Sequence, residues 1–101
     1  MQPNNPSLRL TREAAETLAI QALAFIAEDS RALRRFLDTT GVAAEQIRIA
    51  ARQPRFLAGV LEHMMTDENL LIAFGQNAGI DPGEIARAAR LLAGSWERDL
   101  P

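Results

Sequence analysis

The feature that most limits the possible folds of this chain is an internal similarity between its two halves. Residues 15–52 align without a gap on residues 53–90. The identical pairs in this alignment are Leu23/Leu61, Asp29/Asp67, Leu33/Leu71, Phe36/Phe74, Gly41/Gly79, Ile47/Ile85, Ala50/Ala88, Ala51/Ala89 and Arg52/Arg90. A fixed period of this length is typical of a repeated supersecondary unit. The sequence therefore predicts two equivalent units, 15–52 and 53–90, that share one core.

The first unit reads as three helices. Thr11 and Ser30 are predicted N-caps, because their hydroxyls can accept hydrogen bonds from unpaired amides of a first helical turn. Gly41 is predicted to end the second helix, since glycine readily adopts the left-handed conformation found there. A third helix is expected over about residues 43–52, with Ile47 and one of Ala50 and Ala51 buried.

The second unit follows the same order. Pro54 is predicted to open the fourth helix, because its missing N–H costs nothing at that position. Thr66 or Asp67 is expected to cap the fifth helix, and Gly79 to end it. At residues 81–84 the sequence Asp-Pro-Gly-Glu has the pattern of a capping box that starts the sixth helix.

These signals predict an all-α fold of about six short helices in two three-helix units. The helical domain is expected to span residues 11–94 and to end at Gly94. Residues 1–10 are interpreted as a flexible N-terminal arm and residues 95–101 as a C-terminal tail. No segment alternates apolar and polar residues over the length of a strand.

Composition places the chain among single soluble domains. It has 101 residues, 48% of them apolar and 24% charged, which suits one globular core. No apolar run has the length of a membrane span, and the N-terminus lacks the pattern of a secretory signal. Without cysteine there is no disulfide framework or thiolate chemistry, so a cytoplasmic location is expected.

Several short motifs resemble one known family. They are the run 21–27, Arg35-Phe36-Leu37 with Thr40-Gly41, Phe56-Leu57 and Val60-Leu61 after Pro54, Asp67-Glu68, and Phe74 with Gly79. The chain resembles, over about residues 12–92, an alphaproteobacterial family described as domain of unknown function 3572. The resemblance implies a small, intracellular, helical bacterial protein, and it brings no activity or functional residues with it.

No catalytic or metal-binding arrangement is evident in the sequence. The chain has one histidine, His63, and a zinc site of the usual type needs several His or Cys ligands. His63 aligns with Phe25 of the first unit, which predicts a half-buried residue on a helix face. We therefore expect no enzyme activity, no cofactor and no metal.

The clearest functional signal is an apolar excess in the second unit. The fifth helix is apolar nearly all round in its first turns, as in a helix buried in its domain or against a partner. The predicted partner-contact patch consists of Met64, Met65, Leu70 and Ile72. It indicates a protein–protein interaction module, an adaptor or regulator, whose partner is another protein or a second copy of the chain. Function is expected where the two units differ, as at Phe25/His63, Ala32/Leu70 and Arg34/Ile72.

The alternative is a helical nucleic-acid-binding protein. Its contacts would come from arginines on the third and sixth helices: Arg48, Arg52, Arg87 and Arg90. The net charge of −2 opposes this interpretation, because proteins that bind nucleic acid usually carry a basic excess. Protein–protein interaction is therefore the preferred hypothesis.

Overall fold

The structure is a computed structural model that describes residues 10–98, with side chains described for residues 10–94. Within this range the chain forms six α-helices and a 3₁₀ turn at Ala44–Gln46. The helices are α1 (Arg12–Ala27), α2 (Ser30–Thr40), α3 (Ile47–Ala50), α4 (Pro54–Met65), α5 (Glu68–Ala78) and α6 (Pro82–Arg98). The prediction of an all-α fold is confirmed.

Side chains cap three of the helix starts. The Thr11 hydroxyl accepts a hydrogen bond from the Ala14 amide at 3.0 Å, as predicted. The N-cap of α2 is Asp29 and not the predicted Ser30, because the Asp29 carboxylate already accepts from the Arg31 and Ala32 amides. Asp67 caps α5 by accepting from the Leu70 amide at 3.2 Å. The aligned residues Asp29 and Asp67 therefore perform the same task.

Glycines end α2 and α5 as predicted. Gly41 and Gly79 have φ values of 76° and 68°, in the left-handed region that residues with a side chain rarely adopt. The Gly41 amide donates to the Leu37 carbonyl at 2.8 Å. These two ends turn the chain sharply after each helical hairpin.

The core lies among α1, α4 and α6, which pack against one another more extensively than any other helices of the described region. Its largest fully buried side chains come from both halves of the chain: Ile26, Phe36, Val60, Leu61, Met64, Phe74, Ile85 and Leu92. A single apolar cluster joins them. The α1–α2 and α4–α5 hairpins supply two of the central helices and place α2 and α5 at the periphery.

The third helix of the first unit differs from the prediction. It is a 3₁₀ turn followed by the single α-helical turn of α3, and Ile47, Ala50 and Ala51 are only partly buried. The aligned residues of α6, by contrast, lie in the core. Because α6 already fills the space beside α1 and α4, no equivalent place remains for α3. The repeat of whole three-helix units is not confirmed.

Helix α6 is longer than predicted. It continues through Gly94 to Arg98, so residues 95–98 are helical and not part of an irregular tail. The predicted N-terminal arm lies outside the described residues, apart from Leu10. Across residues 10–98, no helix combines the length and the apolar character that a membrane crossing requires.

Candidate protein-interaction site

The four residues of the predicted contact patch do not form one surface. Met64 is fully buried and therefore presents no surface to a partner in this fold. Met65 and Leu70 are partly buried against the core, whereas Ile72 is 44% exposed. Leu70 and Ile72 are two positions apart on α5 and therefore point to nearly opposite sides of the helix.

The two sides of α5 line different depressions of the surface. Leu70 lines a groove that α5 forms with α2 and the end of α1. Ile72 lines a separate depression of about 400 Å³ near Gly79 and Pro82. Of the two features, the groove is the larger, and it contains residues from both hairpins.

The four arginines of the alternative hypothesis are all exposed. Arg48 lies on the single turn of α3 and Arg52 just beyond it, whereas Arg87 and Arg90 lie on the long, centrally packed α6. The two helices therefore differ in length and in their relation to the core. The structure does not give these arginines the equivalent positions that a pair of recognition helices would need.

Aligned residues of the two hairpins make reciprocal contacts. The Phe25 ring of α1 packs on the Phe74 ring of α5, with centroids 5.5 Å apart. The aligned residues pair in the same way, since the His63 ring of α4 meets the Phe36 ring of α2 at 5.1 Å. Reciprocal contacts of this kind are characteristic of a two-fold arrangement. The outer helix of each hairpin, α2 or α5, thus contacts the first helix of the other hairpin.

The groove between these helices has a volume of about 560 Å³, within the usual range for ligand-binding clefts. We call it the α2–α5 groove and define it by its lining residues: Phe25, Glu28, Asp29, Arg31, Ala32, Arg35, Asp67, Asn69, Leu70 and Ala73. Of these, Leu70 belongs to the predicted contact patch, and Phe25 and Ala32 belong to the pairs at which the two units differ. Ala32/Leu70 was among the pairs at which the two units differ, and that difference was the available signal for the site.

One ion pair crosses the groove. The Arg35 guanidinium donates a hydrogen bond to the Asp67 carboxylate at 3.0 Å, and so joins the middle of α2 to the N-terminus of α5. The Arg35 side chain is 63% exposed and that of Asp67 is 29% exposed, so solvent weakens the attraction between them. The contact is therefore expected to add little to the stability of the fold.

His63 lies beside this ion pair, in a second depression of about 480 Å³ that also includes Thr39 and Thr66. Burial lowers the pKa of His63 below its ordinary value; nearby Asp67 raises it in part, and Arg35 lowers it further. The neutral ring is therefore favoured, in contact with Phe36. This is the half-buried position predicted from the alignment of His63 with Phe25.

Around the groove, the carboxylates of Asp29 and Asp67 are held as helix caps. In the described part of the chain, no three acidic or histidine side chains form a group that could hold a metal ion. The lining of the α2–α5 groove combines apolar side chains with charged ones, and two of its carboxylates are helix caps.

The fold and the groove define a small helical protein with a candidate binding surface. Residues 12–95 match the family described as Protein of unknown function (DUF3572). Because the match spans most of the chain, the protein belongs to this family, in agreement with the resemblance of its motifs. No curated protein and no solved structure shows significant similarity to the chain.

Proposed function

We propose that this protein is a cytoplasmic, non-catalytic interaction module that binds a partner protein in the α2–α5 groove. The observation that carries the proposal is the groove itself, a cleft of about 560 Å³ with apolar and charged walls. Clefts of this size with a few placed polar groups are the usual form of a binding site. The caps hold the N-termini of α2 and α5, so part of the surface is formed before a partner arrives.

The lining suits a protein segment. Phe25, Leu70 and Ala73 offer apolar contact, while Arg31 and Asn69 offer hydrogen-bond donors. Aromatic and arginine side chains are enriched where proteins bind one another. Among the titratable groups that line the groove, Asp29 and Asp67 are helix caps and Arg35 pairs with Asp67, which supports a role in binding.

Site-specific photo-crosslinking in cells that naturally make the protein tests this function. A photoreactive phenylalanine analogue replaces Ala73, which is exposed on the groove wall, and in a matched control it replaces Gln46, which is exposed in the 3₁₀ turn. We expect a discrete protein adduct from position 73 and none from position 46. Equal labelling from both positions, or labelling of nucleic acid alone, would contradict the proposal.

Nucleic-acid binding stays as a second candidate because Arg48, Arg52, Arg87 and Arg90 are all exposed. Exposed arginines can contact phosphates. The acidic net charge of −2 and the unequal placement of α3 and α6 make this the weaker hypothesis.

A further inference from the structure

The two oxygens of the Asp67 carboxylate have different partners. Oδ1 accepts a hydrogen bond from the Leu70 amide at 3.2 Å and caps α5. Oδ2 accepts a hydrogen bond from Nη1 of Arg35 on α2 at 3.0 Å. The cap is local to α5, whereas the Oδ2 contact joins two helices that are distant in sequence. Oδ2 is therefore the oxygen that can change its partner while the cap stays in place.

The hydrogen bond between Arg35 and Oδ2 is easily replaced. The Arg35 side chain is 63% exposed, so water can solvate its guanidinium group when the contact is broken. Exposed ion pairs of this kind contribute little to stability, because screening and the loss of side-chain freedom offset the attraction. A second cation close to Asp67 would therefore compete with Arg35 for this oxygen.

His63 is the group placed to become that second cation. It lies in the last turn of α4 and lines the same depression of about 480 Å³ as Arg35 and Asp67. On its inner side the ring meets the fully buried Phe36 ring edge to face, with centroids 5.1 Å apart. His63 thus lies between the core and the depression that holds the ion pair.

The charged groups around His63 act in opposite directions. The depression is lined from α2, α4 and the start of α5, and its charged residues other than His63 are Arg35, Asp67 and Glu68. Glu62, the neighbour of His63 on α4, is exposed and lies outside this lining. Burial lowers the pKa of His63, nearby Asp67 raises it and Arg35 lowers it. Protonation of the ring is therefore opposed by Arg35 and favoured by Asp67.

Protonation changes what the ring needs from its surroundings. A neutral imidazole packs well on an aromatic ring, whereas a half-buried imidazolium loses solvation and is stabilised by a nearby carboxylate. Both ring nitrogens of the imidazolium are hydrogen-bond donors. Oδ2 of Asp67 is the carboxylate oxygen of the depression that can accept from them without giving up a helix cap.

We infer that His63 is a proton-operated switch of the contact between α2 and α5: the neutral ring leaves Oδ2 of Asp67 to Arg35, and the protonated ring takes this oxygen and releases Arg35. The proton comes from the solvent and returns to it, so no covalent bond of the chain other than N–H changes. The switch needs no partner protein and does not depend on the proposed function. Because Arg35 and Asp67 also line the α2–α5 groove, it would alter the charges of that surface as the pH falls.

Nuclear magnetic resonance on the full chain tests the exchange of partners directly. The chain has one histidine, so its ring signals are assigned without ambiguity in a titration between about pH 7.5 and 5. Rotation of the Arg35 guanidinium group about its Nε–Cζ bond is slowed by a salt bridge. We expect this slowing to be lost with the same midpoint as the His63 titration. Unchanged Arg35 rotation while His63 becomes protonated would overturn the inference.

Substitutions of the two competing groups should move the His63 midpoint in opposite directions. Asp67→Asn keeps a capping oxygen but removes the negative charge, so it should lower the midpoint. Arg35→Gln removes the opposing cation and should raise it. The matched control, Arg34→Gln, neutralises an exposed arginine of α2 outside the depression and should leave the midpoint unchanged. A midpoint that Asp67→Asn does not lower, or that Arg34→Gln raises as much as Arg35→Gln does, would contradict the switch.

Amide hydrogen exchange measures the consequence for α2. After correction for the intrinsic pH dependence, protonation of His63 should reduce the protection of α2, relative to α6, about two- to fivefold, which is the contribution of an exposed ion pair. His63→Phe keeps an aromatic ring and should abolish this pH effect. His63→Gln, a smaller polar residue that does not titrate, should do the same and keeps the comparison decisive if His63→Phe does not fold. An equal loss of α2 protection in these variants would assign the effect to another group and overturn the inference.

Discussion

At the scale of single residues, Asp67 joins the local and the long-range structure of this protein. One carboxylate oxygen accepts from the Leu70 amide and caps α5, and the other accepts from Arg35 on α2. A cap satisfies an amide that has no partner within the helix. An exposed ion pair adds less, because water screens it and side-chain conformational freedom is lost in forming it. The cap is therefore expected to be the more important of the two contacts.

Replacement of Asp67 separates these contributions. Asp67→Ala removes both and should lower the free energy of unfolding by about 1–2 kcal/mol. Asp67→Asn retains a capping oxygen and loses the charge, so its cost should be about 0.5 kcal/mol or less. Urea unfolding measures both values, with Asp29→Ala as a cap control that breaks no ion pair. Equal costs for Asp67→Asn and Asp67→Ala would show that the ion pair dominates.

His63 gives the fold a pH dependence of known sign. Its pKa is lowered by burial in the folded chain, so the unfolded chain binds a proton more readily. The stability contributed by neutral His63 is present above the unfolded pKa of about 6.5. It is lost progressively as the pH falls through that value toward the lower folded pKa.

The variant His63→Phe places the aligned residue of the first unit at this position and removes the titration. We expect wild-type stability to fall between about pH 7.5 and 5.5, whereas His63→Phe should be nearly constant over that range. The comparison is clean because the chain has no other histidine. Parallel pH profiles of the two proteins, measured by urea unfolding, would contradict the assignment.

At the scale of helices, local signals predicted the starts and ends better than the lengths. Thr11, Asp67, Gly41 and Gly79 act where the sequence placed them, because a cap depends on only a few neighbouring residues. The short α3 could not be predicted in this way. Its apolar residues recur at helical spacing, but α6 occupies the packing position beside α1 and α4. Which of the two helices occupies that position depends on the whole fold.

The groove shows the same limit. Leu70 was predicted because it lies in an unusually apolar stretch of sequence. Arg31, Arg35 and Ala73, which also line the groove, are residues typical of any exposed helix face. They become a wall only when the two hairpins face each other. Comparison of aligned positions pointed toward the groove through Ala32 and Leu70, because equivalent positions that differ in chemistry are not explained by the fold alone.

Gly94 and Gly79 provide a matched test at this scale. Gly94 lies inside α6 with no atom within 4 Å of an added Cβ, whereas Gly79 has a φ of 68° at the end of α5. Gly94→Ala should raise the free energy of unfolding by about 0.5–1 kcal/mol, because alanine favours the helix. Gly79→Ala should lower it by about 1–2 kcal/mol, since a side chain is strained at that φ. Destabilisation by Gly94→Ala in chemical unfolding would show that α6 ends there.

At the scale of the whole molecule, positive charge is concentrated on one helix although the net charge of the chain is negative. The chain has a net charge of −2, and all its cationic side chains other than histidine are arginines. Helix α2 concentrates three of these arginines beside the groove, so the remaining surface is more acidic than the average indicates. An acidic surface of this kind repels a long polyanion.

This distribution predicts how the protein responds to nucleic acid. Binding that depends on phosphate contacts releases counterions and therefore weakens steeply with salt. We expect no gel shift of duplex DNA or single-stranded RNA at about 0.15 M salt, and at most a weak, sequence-independent shift near 0.02 M. The quadruple reversal of Arg48, Arg52, Arg87 and Arg90 to glutamate should remove any such weak shift. A shift that persists at the higher salt and disappears in this variant would instead establish nucleic-acid binding through α3 and α6, and the two unequal helices would then have to contact the polyanion separately.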